Sequence, residues 1–208
     1  MASQDPSPSS VPLRDPFESK RLVYRSIDLE KDEDFYNLHL SDPIGSQLAT
    51  ASMMTPPSKE KTRKLMKGMV EDRLLAVVIC LKHQGDQKDQ SKLIPIGSLS
   101  LSKPSAQMTH HRFTMIGLGF LQEHQGKGYG GEAILWATGW AFERAGMHRV
   151  EIGTIGFNSR ARHLYEKLGF TQEAIARKKF WSDGQFWDVY EYSMLDSEWP
   201  AIREKHVQ

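Results

Sequence analysis

The sequence predicts a mixed α/β fold, with one largely antiparallel sheet flanked by helices. Two features point there. Between Leu22 and Leu121, apolar runs follow one another across short polar connections, as in an antiparallel meander. From Glu132 onward the pattern changes to helix, strand, helix and a closing two-strand hairpin.

In chain order, Met1–Pro16 is dense in Pro and Ser and reads as a disordered tail. RLVYRSID, beginning at Arg21, alternates inward and outward residues as a strand does. DLEKDEDFYNLHLSD then reads as a helix with Phe35, Leu38 and Leu40 as its buried residues. A further helix opens at Ser58 and sets Leu65, Met66 and Met69 on one side. Leu74–Lys82 is a continuous apolar run, β-branched in its middle, and fits a buried strand. His83–Lys92 has the content of an exposed turn, and Leu93–Ser102 is its hairpin partner. After the loop Lys103–His110 comes another strand, Arg112–Leu121.

The second half starts with the helix EAILWATGWAFERAG. Its Ala133, Trp136, Ala137, Trp140 and Ala141 recur at helical spacing, and Gly146 stops it. His148–Gly156 is a strand, followed by a short helix with Asn158 as N-cap and Gly169 just past its end. Two aromatic-rich strands then meet at Ser182-Asp183-Gly184, a strong hairpin signal. Trp181, Phe186, Trp187 and Tyr190 are expected in the core of that hairpin or lining an acceptor pocket. Residues 17–200 are expected to form one domain, with a tail over 201–208.

Composition narrows the function. The chain has 208 residues, 39% of them hydrophobic, and a formal net charge of +1. Collagen, coiled coil and a wholly disordered chain are excluded. The near-balance of charge also argues against a broad nucleic-acid surface. No apolar run approaches the ~18–20 residues of a membrane span, and the opening residues lack the pattern of a secretory signal. A cytoplasmic protein is therefore expected. Cys80 is the one cysteine and sits inside an apolar strand, so it reads as a small core residue. His110-His111 has no spaced partner, and no metal is expected.

The most informative segment is Gln125-Gly126-Lys127-Gly128-Tyr129-Gly130-Gly131, between a strand and an amphipathic helix. Glycines there allow close backbone approach, and the helix start presents free N–H groups with the positive end of its dipole, which suits phosphate. A ligand-free connector is the bland alternative. A nucleoside triphosphate loop fails, because Leu121 stands where its first glycine belongs and Gly128 follows Lys127. The dinucleotide pattern GxGxxG fits Gly126, Gly128 and Gly131, but antiparallel strands precede it where a parallel array should begin.

A third pattern, Q/R-x-x-G-x-G/A, is matched by Gln125, Gly128 and Gly130. A second, N-x-x-A-x-x-L-Y-x-x-x-G-F, is matched from Asn158 through Ala161, Leu164, Tyr165 and Gly169 to Phe170. Together, over roughly Arg21–Trp199, the chain resembles the GNAT family of acetyl-CoA-dependent N-acetyltransferases. The closing DGQFWDVYEYSMLDSEW is most similar to the branch that acetylates ribosomal proteins and polyamines.

The resemblance implies a sheet splayed at its central strands, with acetyl-CoA in the splay. Backbone amides from Gln125 through Gly126, Lys127, Gly128 and Tyr129 to Gly130 would hold the pyrophosphate. Phe120 and Leu121 would pair with the pantetheine arm, an N–H near Leu118–Phe120 would polarise the thioester, and Asn158 and Ala161 would line the slot. Tyr165 would be the general acid, since a phenol of pKa ~10 can return a proton to the leaving thiolate. The family's usual strand glutamate is replaced by Met115. Glu151, Glu123, His124 and Asp188 stay open as base candidates beside a water relay or a neutral amine. The expected activity is direct transfer of acetyl to a primary amine: a protein N-terminus, a polyamine or a small molecule. The alternative is a non-catalytic acyl-CoA-binding module. The aromatic hairpin could also form the edge of a homodimer.

Overall fold

Seven strands form one sheet in the order β1-β2-β3-β4-β5-β7-β6, in a computed structural model that describes residues 15–49, 52–82 and 93–206. The expected turn His83–Lys92 and most of the expected N-terminal tail lie outside those residues. Strands β1 (Leu22–Ser26), β2 (Arg73–Leu81), β3 (Ile94–Ser102) and β4 (Phe113–Phe120) are each antiparallel to the next, as the apolar runs predict. Strand β5 (Arg149–Ile155) runs parallel to β4, and β6 (Thr171–Ser182) and β7 (Gln185–Leu195) close the sheet as an antiparallel hairpin. Asp183 and Gly184 both adopt positive φ (49° and 79°), the geometry that makes Asp-Gly a hairpin turn.

Helices α1 (Glu33–Ser41), α2 (Pro43–Ala49) and α3 (Lys59–Asp72) lie on one side of the sheet. The other face carries α4 (Tyr129–Glu143), α5 (Ser159–Lys167) and α6 (Trp199–His206). The larger core lies under α4, where Ala133, Ile134, Ala137 and Ala141 pack on Leu99, Ile116, Val150 and Ile152. A smaller core holds Phe35, Tyr36, Met66, Cys80 and Leu121 on the opposite face.

Several expectations are corrected. Leu38 is 60% exposed, and Tyr36 takes the inward place beside Phe35. Leu65 is likewise exposed, leaving Met66 and Thr62 as the buried residues of α3. Residues 201–206 are helical where a tail is expected, because Trp199 wedges into the core against α4 and its Nε1 donates to Glu143 (2.8 Å). Pro16, expected in the tail, accepts a hydrogen bond from Trp136 Nε1 (2.9 Å), and Trp136 stacks on Tyr24. Trp181 and Phe186 are not core: they pair edge-to-face at the hairpin tip and are more than half exposed.

Entry into α1 is fixed by Asp32, which is buried. It accepts from both terminal nitrogens of Arg25 (2.7 and 2.6 Å) and from the Asp28 N–H (2.8 Å). Asp32→Ala would leave Arg25 partly buried without its counter-charge. We expect a loss of about 3 kcal/mol, read as a drop in Tm of roughly 6–12 °C. An unchanged Tm would show that the pair contributes nothing.

Candidate active site

The centre of the sheet is open. Strands β4 and β5 pair only at Phe113–Arg149, Thr114–Val150 and Met115–Glu151, then diverge, although β4 continues to Phe120 and β5 to Ile155. Hydrogen-bond alternation shows what the gap exposes. The Leu121 N–H donates to the Ile96 carbonyl (2.9 Å), so alternate residues of β4 turn their backbone groups to β3 in the same way. Gly119 and Gly117 belong to that set. Leu118 and Phe120 belong to the other and turn their N–H groups toward the gap.

The gap continues into a cleft of about 470 Å³ that reaches the start of α4. Gly126 and Gly128 hold φ of 78° and 81°, conformations that strain any other residue. Gly128 is the N-cap of α4 and offers no side-chain hydrogen bond. The first intrahelical bond reaches only Glu132 N–H, leaving the amides of Tyr129, Gly130 and Gly131 without intrahelical partners. Leu164 packs α5 against this turn, within ordinary contact distance of where a Cβ on Gly130 or Gly131 would stand (3.7 and 3.4 Å). Gln125 braces the loop by donating from Nε2 to the Phe120 carbonyl (3.1 Å). Such a turn fits a diphosphate.

Most of the expected residues converge on the cleft. Phe120, Gln125, Gly126, Gly128, Tyr129 and Gly130 line one wall, and Asn158, Ala161 and Tyr165 line the other. Asn158 also caps α5, its Oδ1 accepting from the Ala161 N–H (3.1 Å). Tyr165 is buried, edge-on to Tyr192 at 5.6 Å. Burial, with a smaller contribution from Tyr192, pushes its phenol above the ordinary value, so it stays protonated at neutral pH.

Two expected residues do not belong. Leu121 turns its side chain into the smaller core, its N–H is taken by Ile96, and its carbonyl accepts from the His124 N–H (2.9 Å). Lys127 is exposed and stands outside the lining, its carbonyl accepting from Arg21 Nη1 (3.0 Å). Among the base candidates, Glu151 is paired with Arg149 (2.7 Å), and Asp188 accepts from the Lys178 N–H (2.8 Å) in a bulge of β6. Glu123 is exposed and contacts His124 (3.1 Å), while His124 lines the cleft with its Nδ1 buried and unpartnered among the described residues.

Sequence reading missed two arginines. Arg21 arrives from the N-terminal side, sits over the Tyr129 ring at 4.7 Å and binds Glu132 (2.7 Å). Burial works against the Glu132 carboxylate, but hydrogen bonds from Arg21 and Ser19 hold it below the usual range. Arg160 of α5 lines the cleft with Nη2 3.3 Å from where a Cβ on Gly126 would stand. Arg160 lies inside the Asn158 motif and could have been suspected. No local signal marks Arg21.

Residues 21–171 match the acetyltransferase (GNAT) domain. The spermidine N(1)-acetyltransferase of Vibrio cholerae is 30% identical over 89 residues, 43% of this chain and 51% of that protein. The chain thus aligns with about half the length of that relative. The "Uncharacterized N-acetyltransferase YnaD" of Bacillus subtilis is 26% identical over 124 residues, 57% of this chain and 71% of that protein. A crystal structure of spermidine N-acetyltransferase from Vibrio cholerae in complex with CoA and spermine superposes with a TM-score of 0.72 at 20% identity. It covers 88% of this chain and 99% of that one, a likeness of fold.

If Arg160 supplies charge to the diphosphate end, Arg160→Ala should weaken acetyl-CoA binding about tenfold, and most strongly at low salt. Calorimetric titration at two ionic strengths reads this. Equal affinity at both would remove Arg160 from the site.

Proposed function

Because the chain belongs to the GNAT acetyltransferase family, we propose that it transfers an acetyl group from acetyl-CoA to a primary amine by direct attack. The observation that carries this reading is the divergence of β4 and β5 between the uncapped start of α4 and the buried phenol of Tyr165. Bound acetyl-CoA supplies the acyl group as a thioester. The amides of Tyr129, Gly130 and Gly131 would hold its diphosphate, and the gap-facing N–H groups of Leu118 and Phe120 would pair with the arm and stabilise charge on the carbonyl oxygen. Tyr165 holds the proton that the departing sulfur needs, and burial keeps that proton in place until it is called for.

An amine acceptor is supported by the relatives, one of which is named a spermidine acetyltransferase. A polyamine, a protein N-terminus and a small primary amine are the acceptors to screen. The second reading, a non-catalytic acyl-CoA-binding module, draws on Met115, which puts an exposed thioether where the family's usual carboxylate stands. A dinucleotide oxidoreductase is disfavoured, since among the described residues the sheet holds one parallel strand pair, β4 with β5. The exposed Trp181–Phe186 pair beside edge strand β6 is where a second copy of the chain would dock, and sedimentation equilibrium on Trp181→Ser would show it.

Calorimetry should show binding of acetyl-CoA and CoA but not NADH. Tyr165→Phe should lower kcat about 100-fold in a thiol-release assay while leaving acetyl-CoA affinity within about twofold. Binding without turnover of any amine by the unmodified protein would favour the binding module. NADH binding alone would overturn both readings.

A further inference from the structure

The splay opens through the sheet, so the two faces of β4 carry different chemistry. Phe120, Leu118 and Ile116 point to the α4–α5 side, where Tyr165 stands. Gly119 points to the other side, toward α1 and α2, and has no side chain there. A Cβ at Gly119 would lie 2.7 Å from Nε2 of His39 and 3.9 Å from the Cβ of Ala49. Gly119 and Ala49 both line the cleft, together with Gly45 and Leu48 of α2. The His39 imidazole therefore packs edge-first into the space that Gly119 leaves, just behind the cleft lining and between the two residues whose N–H groups face the gap.

The ring runs parallel to that of Phe35, at 9° between planes and 6.0 Å between centroids. Burial lowers its pKa from the ordinary histidine value, and the carboxylate of Asp42 pushes less strongly the other way. On β4 the ring edge meets Gly119, which carries no charge. The imidazole is thus an unprotonated base near neutral pH, on the face opposite the proton donor.

We propose that His39 is the proton acceptor for the attacking amine, taking the role left open by Met115. This rests on the acetyltransferase reading above. An acceptor ammonium on the α2 side of Gly119 gives one proton to His39 Nε2. The freed nitrogen pair forms the C–N bond as the C–S bond breaks, and the sulfur keeps that bond's electrons. Sulfur takes the Tyr165 proton, and the second proton lost by nitrogen restores the phenol through solvent. The net yield is an amide, a thiol and one proton, released when His39 returns to its neutral form.

The test has two arms. In the first, His39→Gln is assayed by thiol release with spermidine and with a short peptide bearing a free N-terminus. We expect kcat to fall about 100-fold with acetyl-CoA affinity unchanged, the acidic limb of the unmodified protein's pH profile to be lost, and added imidazole to restore part of the rate in His39→Ala. A folded His39→Gln protein that keeps its rate and its acidic limb would overturn the proposal. The second arm needs no acceptor. In protein labelled at histidine with ¹³C, the His39 Cε1–H signal, assigned by its loss in His39→Gln, should differ between the acetyl-CoA and CoA complexes. An identical signal in both, at saturation shown by calorimetry, would place the acetyl group away from His39 and overturn the assignment. Failure of acetyl-CoA to bind at all would instead remove the acetyltransferase reading.

Discussion

Parallel pairing between β4 and β5 stops at Met115 and Glu151, while β4 stays bonded to β3 and β5 to β7 on their outer edges. A buried backbone group left without a partner costs about 1–3 kcal/mol, so such a gap persists only if something holds it open and something can fill it. Both conditions are met by the rest of the fold. On the β3 side, Gly97 lets the strands approach so closely that a Cβ there would stand 2.5 Å from the Gly119 carbonyl, which pins β4 outward. On the other side, Ile155 is registered against Val189 and the Gly156 N–H donates to the Asp188 carbonyl (2.8 Å), which pins β5. Helix α2 contacts both strands on one face, and α5 closes the other. The gap is then a fixed slot with amides along one wall, suited to an extended ligand that carries its own hydrogen-bonding groups.

Elements whose cause is local were legible in the sequence. The Asp183-Gly184 turn, the Asn158 cap and the glycines at 126 and 128 each depend on a few adjacent residues and on φ values that few side chains accept. The cleft wall built from them was legible for the same reason. Leu121 departs from what the resemblance implies because its backbone is already spent on Ile96 and His124, a tertiary detail that a motif does not carry. Arg21, Gly45 and Ala49 come from distant segments and enter the site through tertiary packing, which no spacing rule records. Composition misled in the hairpin, where aromatic content reads as core although strand β6 has an open edge and little packs on its tip.

The diphosphate end of the slot carries its charge on borrowed residues. Helix α4 begins with no side-chain cap and has Glu132 in its first turn. A carboxylate there complements the helix dipole but would compete with an anionic ligand. Arg21 resolves the conflict by binding Glu132 through its backbone N–H and Nε, at 2.6 and 2.7 Å, while its Nη1 holds the Lys127 carbonyl. One arginine thus neutralises the acid and ties the residues ahead of β1 to the glycine turn. The formal net charge of +1 conceals this arrangement, because the charges that matter sit at one end of the slot.

At the other end no carboxylate lines the slot among the described residues, and the fold gives a physical reason. A carboxylate on the bare side of Gly119 would be desolvated by α2, and burial would drive it toward its protonated form, which is useless as a base. Burial acts on an imidazole in the opposite sense, favouring the neutral ring that can accept a proton. It also favours the neutral phenol of Tyr165 on the far face. One low-dielectric environment therefore favours the neutral forms of the His39 ring and the Tyr165 phenol on opposite sides of a single strand, the forms that the proposed acceptor and donor would need. With the proton acceptor proposed on α1, the exposed β4 position beside Glu151 needs no carboxylate, and Met115 occupies it.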